Sequence, residues 1–399
     1  MKCLLNKNPI SIGKHLIKTL TTFPIPMGDS TEIKKPKYDG RSKKRQWQDR
    51  RSDNSAKLLK IDATSTSTQP LPDKIKRRKY AILMGYSGVD YYGMQRNPNT
   101  KTIEEELFKT LFDCDFIDQL CYDQVQNMQF QRAARTDKGV SAARQVVSLK
   151  LKETFNIEAV NEKLSSQIRL FASKRVTKGF NSKTQCDGRT YIYVTPSVVF
   201  SDQQDLPQQK GFRISQQLLD KINETLALYV GTKSFHNFTI KKKYGDPSAK
   251  RFIKAFTCEP TFIENDVEFC TLKVHGQSFM MHQIRKMVGL VLAVMRGQAT
   301  LEVVAKAIGE DKVNIPRAPG LGLLLNYVHY DRYNFKYGSD GMHETLTWEE
   351  VDQQVEEFKH RQILPTIINT EIAEEQMVWW VKNKLARHSF DDEESDDEQ

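Results

Sequence analysis

Residues 135–151 read RTDKGVSAARQVVSLKL and hold a charged loop followed by a strand. In the second part, Val147, Leu149 and Leu151 alternate with polar residues, which is the period of a half-buried β-strand. In the first part, Asp137 lies between two nearby cations, Arg135 and Lys138. The sequence therefore predicts a sheet in which a basic loop carries a carboxylate just before one of the strands.

The segments on both sides of this stretch alternate between strand and helix patterns. Thr102 has the features of an N-cap, with Glu105 three residues later, and opens an amphipathic helix. The other predicted elements are strands in YAILMGYSG from 80 and RTYIYVTP from 189, helices at 157–171, 215–230 and 278–296, a hairpin turning at Asn265-Asp266, and a closing strand in GLGLLLNYVHY at 320–330. This order predicts an α+β protein with two domains, residues 80–185 and 186–336.

The net charge of +10 is concentrated in the terminal segments. Residues 1–79 contain 20 Lys+Arg against 7 Asp+Glu and are predicted to be a disordered basic arm, whereas residues 389–399 contain seven acids and are predicted to be a disordered acidic tail. Residues 337–388 are expected to form a helical extension. A basic arm favours polyanions through counterion release, so nucleic acid is the leading partner class, although import signals are also basic.

Two kinds of targeting signal are predicted in the arm. Residues 1–28 carry four lysines and no acid before Asp29, as in a mitochondrial presequence. The clusters KKPKYDGRSKKRQWQDRR at 34–51 and KIKRRK at 74–79 are typical of nuclear import signals. We therefore expect the nucleus and the mitochondrion as locations. The alternative is an arm that binds RNA and contains no targeting signal.

Several classes of protein are excluded or lose support. The longest apolar run, the nine residues of MVGLVLAVM, is far below the ~20 that span a bilayer, so no membrane association is expected. The phosphate-loop, dinucleotide-binding, zinc-protease and serine-hydrolase motifs are not found in the sequence. The six cysteines form no CxxC pair and have no histidine at ligand spacing, so no metal site is predicted.

Two charged residues are candidates for chemistry. The cations beside Asp137 favour its ionised form, which suits a nucleophile or a general base near RNA, but a type I turn with solvated cations explains the same spacing. Arg285 heads an apolar stripe of Val288, Gly289 and Leu292, so burial there would require an anion. Lys286 faces a similar stripe, and periodicity does not choose between the two cations.

Five motifs in this order and spacing resemble the TruA-type tRNA pseudouridine synthases, and in particular their eukaryotic branch called tRNA pseudouridine synthase 1. The motifs are RTDKGVSA at 135–142, RTYIYV at 189–194, GTKSFHNFT at 231–239, HQIRKMVG at 282–289 and APGLGLLL at 318–325. The resemblance implies two RRM-like α+β domains whose antiparallel sheets join across a central basic cleft, with helices on the outer faces. It also implies isomerisation of uridine in tRNA, and in other structured RNAs, without a cofactor. We expect a monomer.

The resemblance also implies roles for individual residues. Asp137 would be the catalytic aspartate, and Arg285 would pair with it. Tyr191 would stack on the flipped base, and its part in proton transfer stays open because an ordinary phenol is a poor base at neutral pH. Tyr193, on the same face of its strand, is expected to pack in the core.

Further residues would contact the RNA. Arg135 would hold the flipped nucleotide, Lys138 would contact phosphate, and Leu323 would pack beneath the target base. A basic loop at 241–251 is expected to form a wall of the cleft, with Lys241, Lys242 and Lys243 binding RNA. Two alternatives remain: an idle RNA-binding protein on the same fold, for which the three catalytic candidates are unnecessary, and a base methyltransferase, for which a glycine-rich cofactor loop is missing.

Overall fold

A computed structural model describes residues 76–391 of the 399-residue chain. Within them, nine strands form one sheet in the order β4-β1-β3-β9-β5-β8-β7-β6, with β2 paired to β3. The strands are β1 Arg77–Tyr86, β2 Gln131–Arg132, β3 Ser141–Lys152, β4 Ile168–Arg175, β5 Gly188–Pro196, β6 Gly231–Ser234, β7 Lys250–Glu264, β8 Val267–Gly276 and β9 Leu323–His329.

Ten α-helices accompany the sheet in the same residues. They are α1 Ile103–Asp113, α2 Gln119–Asp123, α3 Ile157–Lys163, α4 Gln216–Ala227, α5 Gln283–Met295, α6 Leu301–Ile308, α7 Asp331–Tyr337, α8 Asp352–Phe358, α9 Leu364–Glu374 and α10 Gln376–Asn383. The predicted α+β class is confirmed. None of these helices is long and apolar enough to cross a membrane.

Strand β9 joins the two halves of the molecule. It pairs in parallel with β3, through Leu324 and Leu325, and antiparallel with β5 on its other side. Both leucines are fully buried, so the junction lies inside the hydrophobic core. The two halves therefore share one mostly antiparallel sheet, and the boundary near residue 185 stays a prediction.

Most elements lie where their sequence patterns indicate. The Thr102 side chain accepts a hydrogen bond from the amide of Glu105 at 3.3 Å, which confirms the N-cap of α1. The β7–β8 hairpin turns at Asn265 and Asp266, which have φ values of 51° and 62°. Both residues are left-handed, as a type I′ hairpin turn requires. The predicted turn is thus confirmed.

The helix predicted at 157–171 is wrong in its second half. Helix α3 ends at Lys163, and residues from Ile168 onward form β4, which pairs antiparallel with β1. Ile168 and Leu170 are buried while Arg169 between them is exposed, so a period of two competes with the helical period in this segment. Pairing with β1 decides the competition because it satisfies the backbone hydrogen bonds of an edge strand.

Strand β3 is more deeply buried than its alternation predicts. The polar residues Gln145 and Ser148 have no exposed surface, which corrects the expectation of a half-buried strand. Ser148 is covered by a neighbouring loop, whose Ser182 amide donates to the Ser148 hydroxyl at 3.1 Å. The Gln145 amide donates to the Ala134 carbonyl at 2.8 Å. Buried polar groups are tolerated when they are hydrogen-bonded in this way.

Both predicted disordered ends are too long where the structure describes them. Strand β1 already begins at Arg77, and the buried Lys79 amine donates to the carbonyl of Gln129 at 2.7 Å. At the other end, the amide of Asn314 donates to the Phe390 carbonyl at 2.9 Å. Residues 77–79 and 389–390 are therefore ordered, because both segments form backbone contacts. The rest of the arm and of the tail, with both targeting signals except residues 76–79, lies outside the described residues.

The helices after residue 337 pack against the first half of the sheet. The Arg144 guanidinium in β3 donates to Asp352 and to Glu356 in α8, each at 2.9 Å. Phe171 in β4 packs edge-on against Phe358, with ring centroids 5.6 Å apart. The Arg144 contacts therefore hold β3, the strand that follows the Asp137 loop, and the phenylalanine contact holds β4.

Candidate active site

A cleft of about 570 Å³ opens beside the loop that precedes β3. Its walls come from several separate parts of the chain, which include the segment 92–97, the 131–140 loop, the segment 278–285 and the strands β5 and β9. It collects five of the predicted site residues, namely Arg135, Asp137, Tyr191, Arg285 and Leu323. Residues that are almost 190 positions apart in sequence thus line one space.

The Asp137 loop is a rigid turn. The amide of Val140 donates to the Asp137 carbonyl at 3.1 Å, and Gly139 between them has a φ of 76°. Positive φ at this third position defines a type II turn and favours glycine. The preceding residue is also fixed, because the buried hydroxyls of Thr136 and Tyr86 lie 2.9 Å apart. The type I turn considered from sequence is therefore not found, and the carboxylate is held on a fixed backbone.

The Asp137 carboxylate meets two donors through a single oxygen. His282 Nδ1 lies 3.1 Å from Asp137 Oδ2, and Arg285 Nη1 lies 3.7 Å from the same atom. Burial raises the pKa of the carboxyl, but the hydrogen bond from His282 and the positive charges of Arg285 and Arg317 outweigh burial and hold the pKa below its ordinary value. Asp137 is therefore ionised at neutral pH.

Helix α5 decides which of the two cations faces the carboxylate. It begins at Gln283, five residues later than predicted, since Met280 to His282 form a loop that closes the cleft. Arg285 Nε donates to the Ala318 carbonyl at 2.7 Å and its guanidinium faces Asp137. Lys286 is buried on another side of the helix, where its amine donates to the Asn237 carbonyl at 3.3 Å. The choice that periodicity left open falls on Arg285.

The chain is similar in sequence to known proteins. Residues 226–331 match the family model described as tRNA pseudouridine synthase. The mouse protein named Pseudouridylate synthase 1 homolog is 47% identical over 323 residues, which is 80% of this chain and 76% of that protein. The human protein of the same name is 47% identical over 77% of this chain and 73% of its own length. The Kluyveromyces lactis protein named tRNA pseudouridine synthase 1 is 30% identical over 86% of this chain and 75% of its own length.

The chain belongs to the TruA-type tRNA pseudouridine synthases. It is therefore an isomerase of uridine in RNA. Within the described residues of this synthase, no three His, Cys, Asp or Glu side chains are grouped so that they could hold a metal ion.

The two tyrosines of β5 differ in their surroundings. Tyr191 lines the cleft, and its ring packs edge-on against Phe279 with centroids 5.3 Å apart. Burial raises the pKa of the Tyr191 phenol well above its ordinary value, although the charge of Arg189 opposes this. A phenol that is harder to ionise is a poor base, so the site favours base stacking for Tyr191. Tyr193 is buried, and its hydroxyl donates to the Pro319 carbonyl at 2.7 Å.

The predicted RNA contacts fall into two groups. Arg135 is exposed at the cleft and, among the described residues, its side chain has no hydrogen-bond or ion-pair partner. The Lys138 amine lies 4.5 Å from the centroid of the exposed Tyr92 ring. In contrast, Lys241, Lys242 and Lys243 do not line the cleft, and Lys242 pairs with Asp246 at 2.9 Å. Arg251, at the end of the same loop, lines the cleft instead. The expectation that the three lysines form a wall of the cleft is therefore wrong, whereas RNA binding by these lysines stays a prediction.

Sequence reasoning missed two polar residues of the synthase cleft. His282 bridges Asp137 and Arg317, whose Nη1 lies 3.0 Å from His282 Nε2. Arg189 donates to the Ala133 carbonyl at 2.6 Å and to the Gln277 carbonyl at 3.0 Å, so it ties the Asp137 loop to the opposite wall. His282 could have been found from its position three residues before Arg285, one helical turn away. Arg189 gives no such signal, because its acceptors are backbone carbonyls.

Proposed function

We propose that this synthase isomerises uridines in tRNA to pseudouridine, with Asp137 as the carboxylate that acts on the target nucleoside. One observation carries the proposal. Asp137 Oδ2 is held by His282 and Arg285, while Oδ1 has no hydrogen-bond partner among the described residues and belongs to a cleft that also contains Tyr191. An ionised oxygen is thus available beside an aromatic surface on which a base can stack.

The chemistry matches what this oxygen can do. As the N1–C1′ glycosidic bond breaks, positive charge develops at C1′, and a fixed carboxylate stabilises that charge or bonds to the carbon. The base then turns and joins C1′ through C5, which displaces the carboxylate if it had bonded there. The proton on C5 leaves to solvent, and N1, released from C1′, takes up a proton. The hydrogen bond from His282 and the charge of Arg285 help to keep the carboxylate ionised. No electron or chemical group is gained or lost overall, so we propose that the reaction needs no cofactor.

The target uridine must leave its stack to reach the cleft. Extruding a base costs a few kcal/mol, which phosphate contacts offset. Arg135 is the best placed residue for the flipped nucleotide because it is exposed beside Asp137 and its guanidinium has no partner within residues 76–391. Lys138 follows Asp137 and is exposed, so we propose that its amine contacts a phosphate. Leu323 lines the same cleft as Tyr191. The names of the relatives support tRNA as the substrate.

A tritium-release assay tests this proposal. A tRNA transcript labelled at uridine C5 loses the label to water when the new carbon–carbon bond forms. We expect release by the purified chain without any added methyl donor and no release from Asp137→Ala. The control is Asp113→Ala, which removes an exposed carboxylate at the end of α1 and should release the label normally. Release by Asp137→Ala at the wild-type rate would remove Asp137 from the mechanism. Binding of tRNA by the wild type without release would favour an idle RNA-binding protein.

The composition of residues 1–79 supports a further proposal on location. We propose import into both the nucleus and the mitochondrion, since this segment combines an acid-free basic start with two basic clusters. A fluorescent fusion lacking residues 1–26 should lose the mitochondrial signal and keep the nuclear one. We also propose that the protein is a monomer, which sedimentation equilibrium measures directly. A dimer mass would contradict the latter proposal.

A further inference from the structure

We infer that His282 is a positioning residue that holds the catalytic carboxylate as a neutral imidazole protonated on Nδ1, and that Arg317 selects this tautomer. The consequence for catalysis rests on the proposed function. The tautomer itself follows from the hydrogen-bond geometry and can be measured without any substrate.

The argument starts from the partner of His282 Nε2. Arg317 Nη1 lies 3.0 Å from this nitrogen, and a guanidinium has only donors. Nε2 must therefore accept, so it carries a lone pair and no hydrogen. A neutral imidazole then has its hydrogen on Nδ1, which lies 3.1 Å from Asp137 Oδ2. Each contact in the series from Arg317 through His282 to Asp137 then has one donor and one acceptor.

The other states of the ring do not satisfy both contacts. A hydrogen on Nε2 would face a guanidinium donor at 3.0 Å, and moving the only hydrogen there would leave a lone pair on Nδ1 facing the carboxylate oxygen. Turning the ring by half a revolution about its Cβ–Cγ bond would place carbon atoms at both positions. Each change breaks at least one hydrogen bond in a largely enclosed site, where unmade bonds are costly.

The backbone also fixes this histidine. His282 has a φ of 64°, a left-handed conformation that is uncommon for a residue other than glycine and that is found at sites held by their surroundings. Its carbonyl accepts the Lys286 amide at 3.0 Å and so begins α5. The Arg317 segment lies tightly against the same helix, because a Cβ on Gly289 would come within 2.1 Å of the Pro316 carbonyl oxygen. His282, Arg285 and Arg317 are therefore one rigid group.

This group explains why one carboxylate oxygen remains available. His282 and Arg285 both approach the carboxylate at Oδ2, at 3.1 Å and 3.7 Å, which restricts the rotation of the carboxylate and leaves Oδ1 without a hydrogen bond among the described residues. Without His282, the carboxylate can turn so that both oxygens approach Arg285, which favours paired contacts with carboxylates. Oδ1 would then be engaged in the substrate-free enzyme. We expect such a loss to lower kcat more than it raises KM, because binding of the RNA backbone does not depend on this rotation.

Nitrogen NMR decides the tautomer. The full chain, labelled with ¹⁵N-histidine, contains eight histidines, and His282→Asn identifies the signals of His282 by their loss. We expect a protonated Nδ1 and an unprotonated Nε2 at neutral pH in the wild type and in Arg317→Lys, which keeps a donor. Arg317→Met, which has none, should show a mixture of tautomers. A wild-type ring with its hydrogen on Nε2, or on both nitrogens, would overturn the inference.

Kinetics with two His282 variants tests the positioning role. We expect His282→Leu to lower the single-turnover rate by about 10²-fold with little change in KM, as misplacement of a catalytic group does. The amide nitrogen of His282→Asn can occupy the place of Nδ1, so this variant should recover about tenfold of that loss. His360→Leu, at an exposed position, is the control. Equal rates for the folded Leu and Asn variants would overturn the role. A wild type without isomerase activity would instead refute the proposed function and leave the NMR result standing.

Discussion

Two ion-pair sites, one on each side of the start of β3, both join aspartate to arginine but have different roles. At the cleft, the carboxylate of Asp137 meets His282 and Arg285 through one oxygen and keeps the other available. Seven residues later, Arg144 meets two carboxylates from α8 at 2.9 Å each, and its side chain is only 8% exposed. The first site holds a carboxylate that keeps one oxygen available for a ligand. The second site pairs one guanidinium with two carboxylates.

The difference shows how a functional ion pair can be told from a structural one. The Arg144 partners are largely solvated, so they remain satisfied with or without the cation. Asp137 is more enclosed, and its ionised state depends on its cations because burial alone would raise its pKa. Charge that depends on its neighbours, beside an open cleft, is typical of catalytic sites.

After the loss of Asp137 itself, the largest effect is expected from removal of the cation at the cleft. Arg285→Met should lower the single-turnover rate by about 10²–10³-fold, comparable to the loss of one preorganised electrostatic group in other enzymes. Tritium release at saturating enzyme measures it. The control is Arg361→Met, at an exposed position in the C-terminal helices. A rate within threefold of wild type, which corresponds to roughly 0.65 kcal/mol or less, would show that Arg285 is structural like Arg144.

The pH dependence of the same variant sharpens the comparison. The pKa of Asp137 is depressed, so ionisation and its contribution to stability are present above the ordinary value of about 3.9 and are lost as pH falls through the lower folded value. Without Arg285, one of the causes that lower the pKa of Asp137 is lost, so we expect this pKa to rise. We expect the ratio of variant to wild-type rates to fall from about pH 7 to about pH 5, where the wild-type carboxyl is still ionised. A constant ratio would contradict the dependence on Arg285.

The neighbouring tyrosines give a matched pair with a smaller effect. Base stacking is worth about 1–3 kcal/mol, so Tyr191→Leu should lower kcat/KM by at least about fivefold, whereas Tyr191→Phe keeps the ring and should retain most activity. Tyr193→Phe loses only the hydrogen bond to Pro319 and should change stability rather than catalysis. Single-turnover and steady-state rates measure the effect of the Tyr191 variants. Urea unfolding measures the stability of Tyr193→Phe. Equal losses in Tyr191→Phe and Tyr191→Leu would point to a role for the hydroxyl.

The smallest effect is expected at the structural ion pair. Arg144→Met should lower the free energy of unfolding by about 1 kcal/mol, since its two carboxylates are exposed enough to be hydrated once the cation is gone. Urea denaturation measures the change. The single-turnover rate should match the wild type. A slower rate in a fully folded variant would show that the C-terminal helices influence the Asp137 loop.

Local patterns predicted much of the fold and the composition of the site. The α1 cap, the β7–β8 turn and the strands of the two halves depend on short-range preferences, and each is found. Residues 164–171 are different, because their sequence suits two periods and pairing with β1 makes the choice. The lysines at 241–243 are basic enough for a cleft wall, yet the path of the loop brings only Arg251 to the cleft. The composition of a loop gives its charge, but it does not tell which of its side chains reach the cleft.

The sequence by itself determined the charged residues of the site, the family resemblance and the strand and helix types of most segments, because these depend on residue identity and spacing along the chain. Only the tertiary structure decided that Arg285 rather than Lys286 meets Asp137, that His282 and Arg317 join them, and that β9 links both halves in one sheet. The physical reason is that hydrogen bonds and ion pairs require distances of a few ångströms between groups that are far apart in sequence. Packing of the core sets those distances.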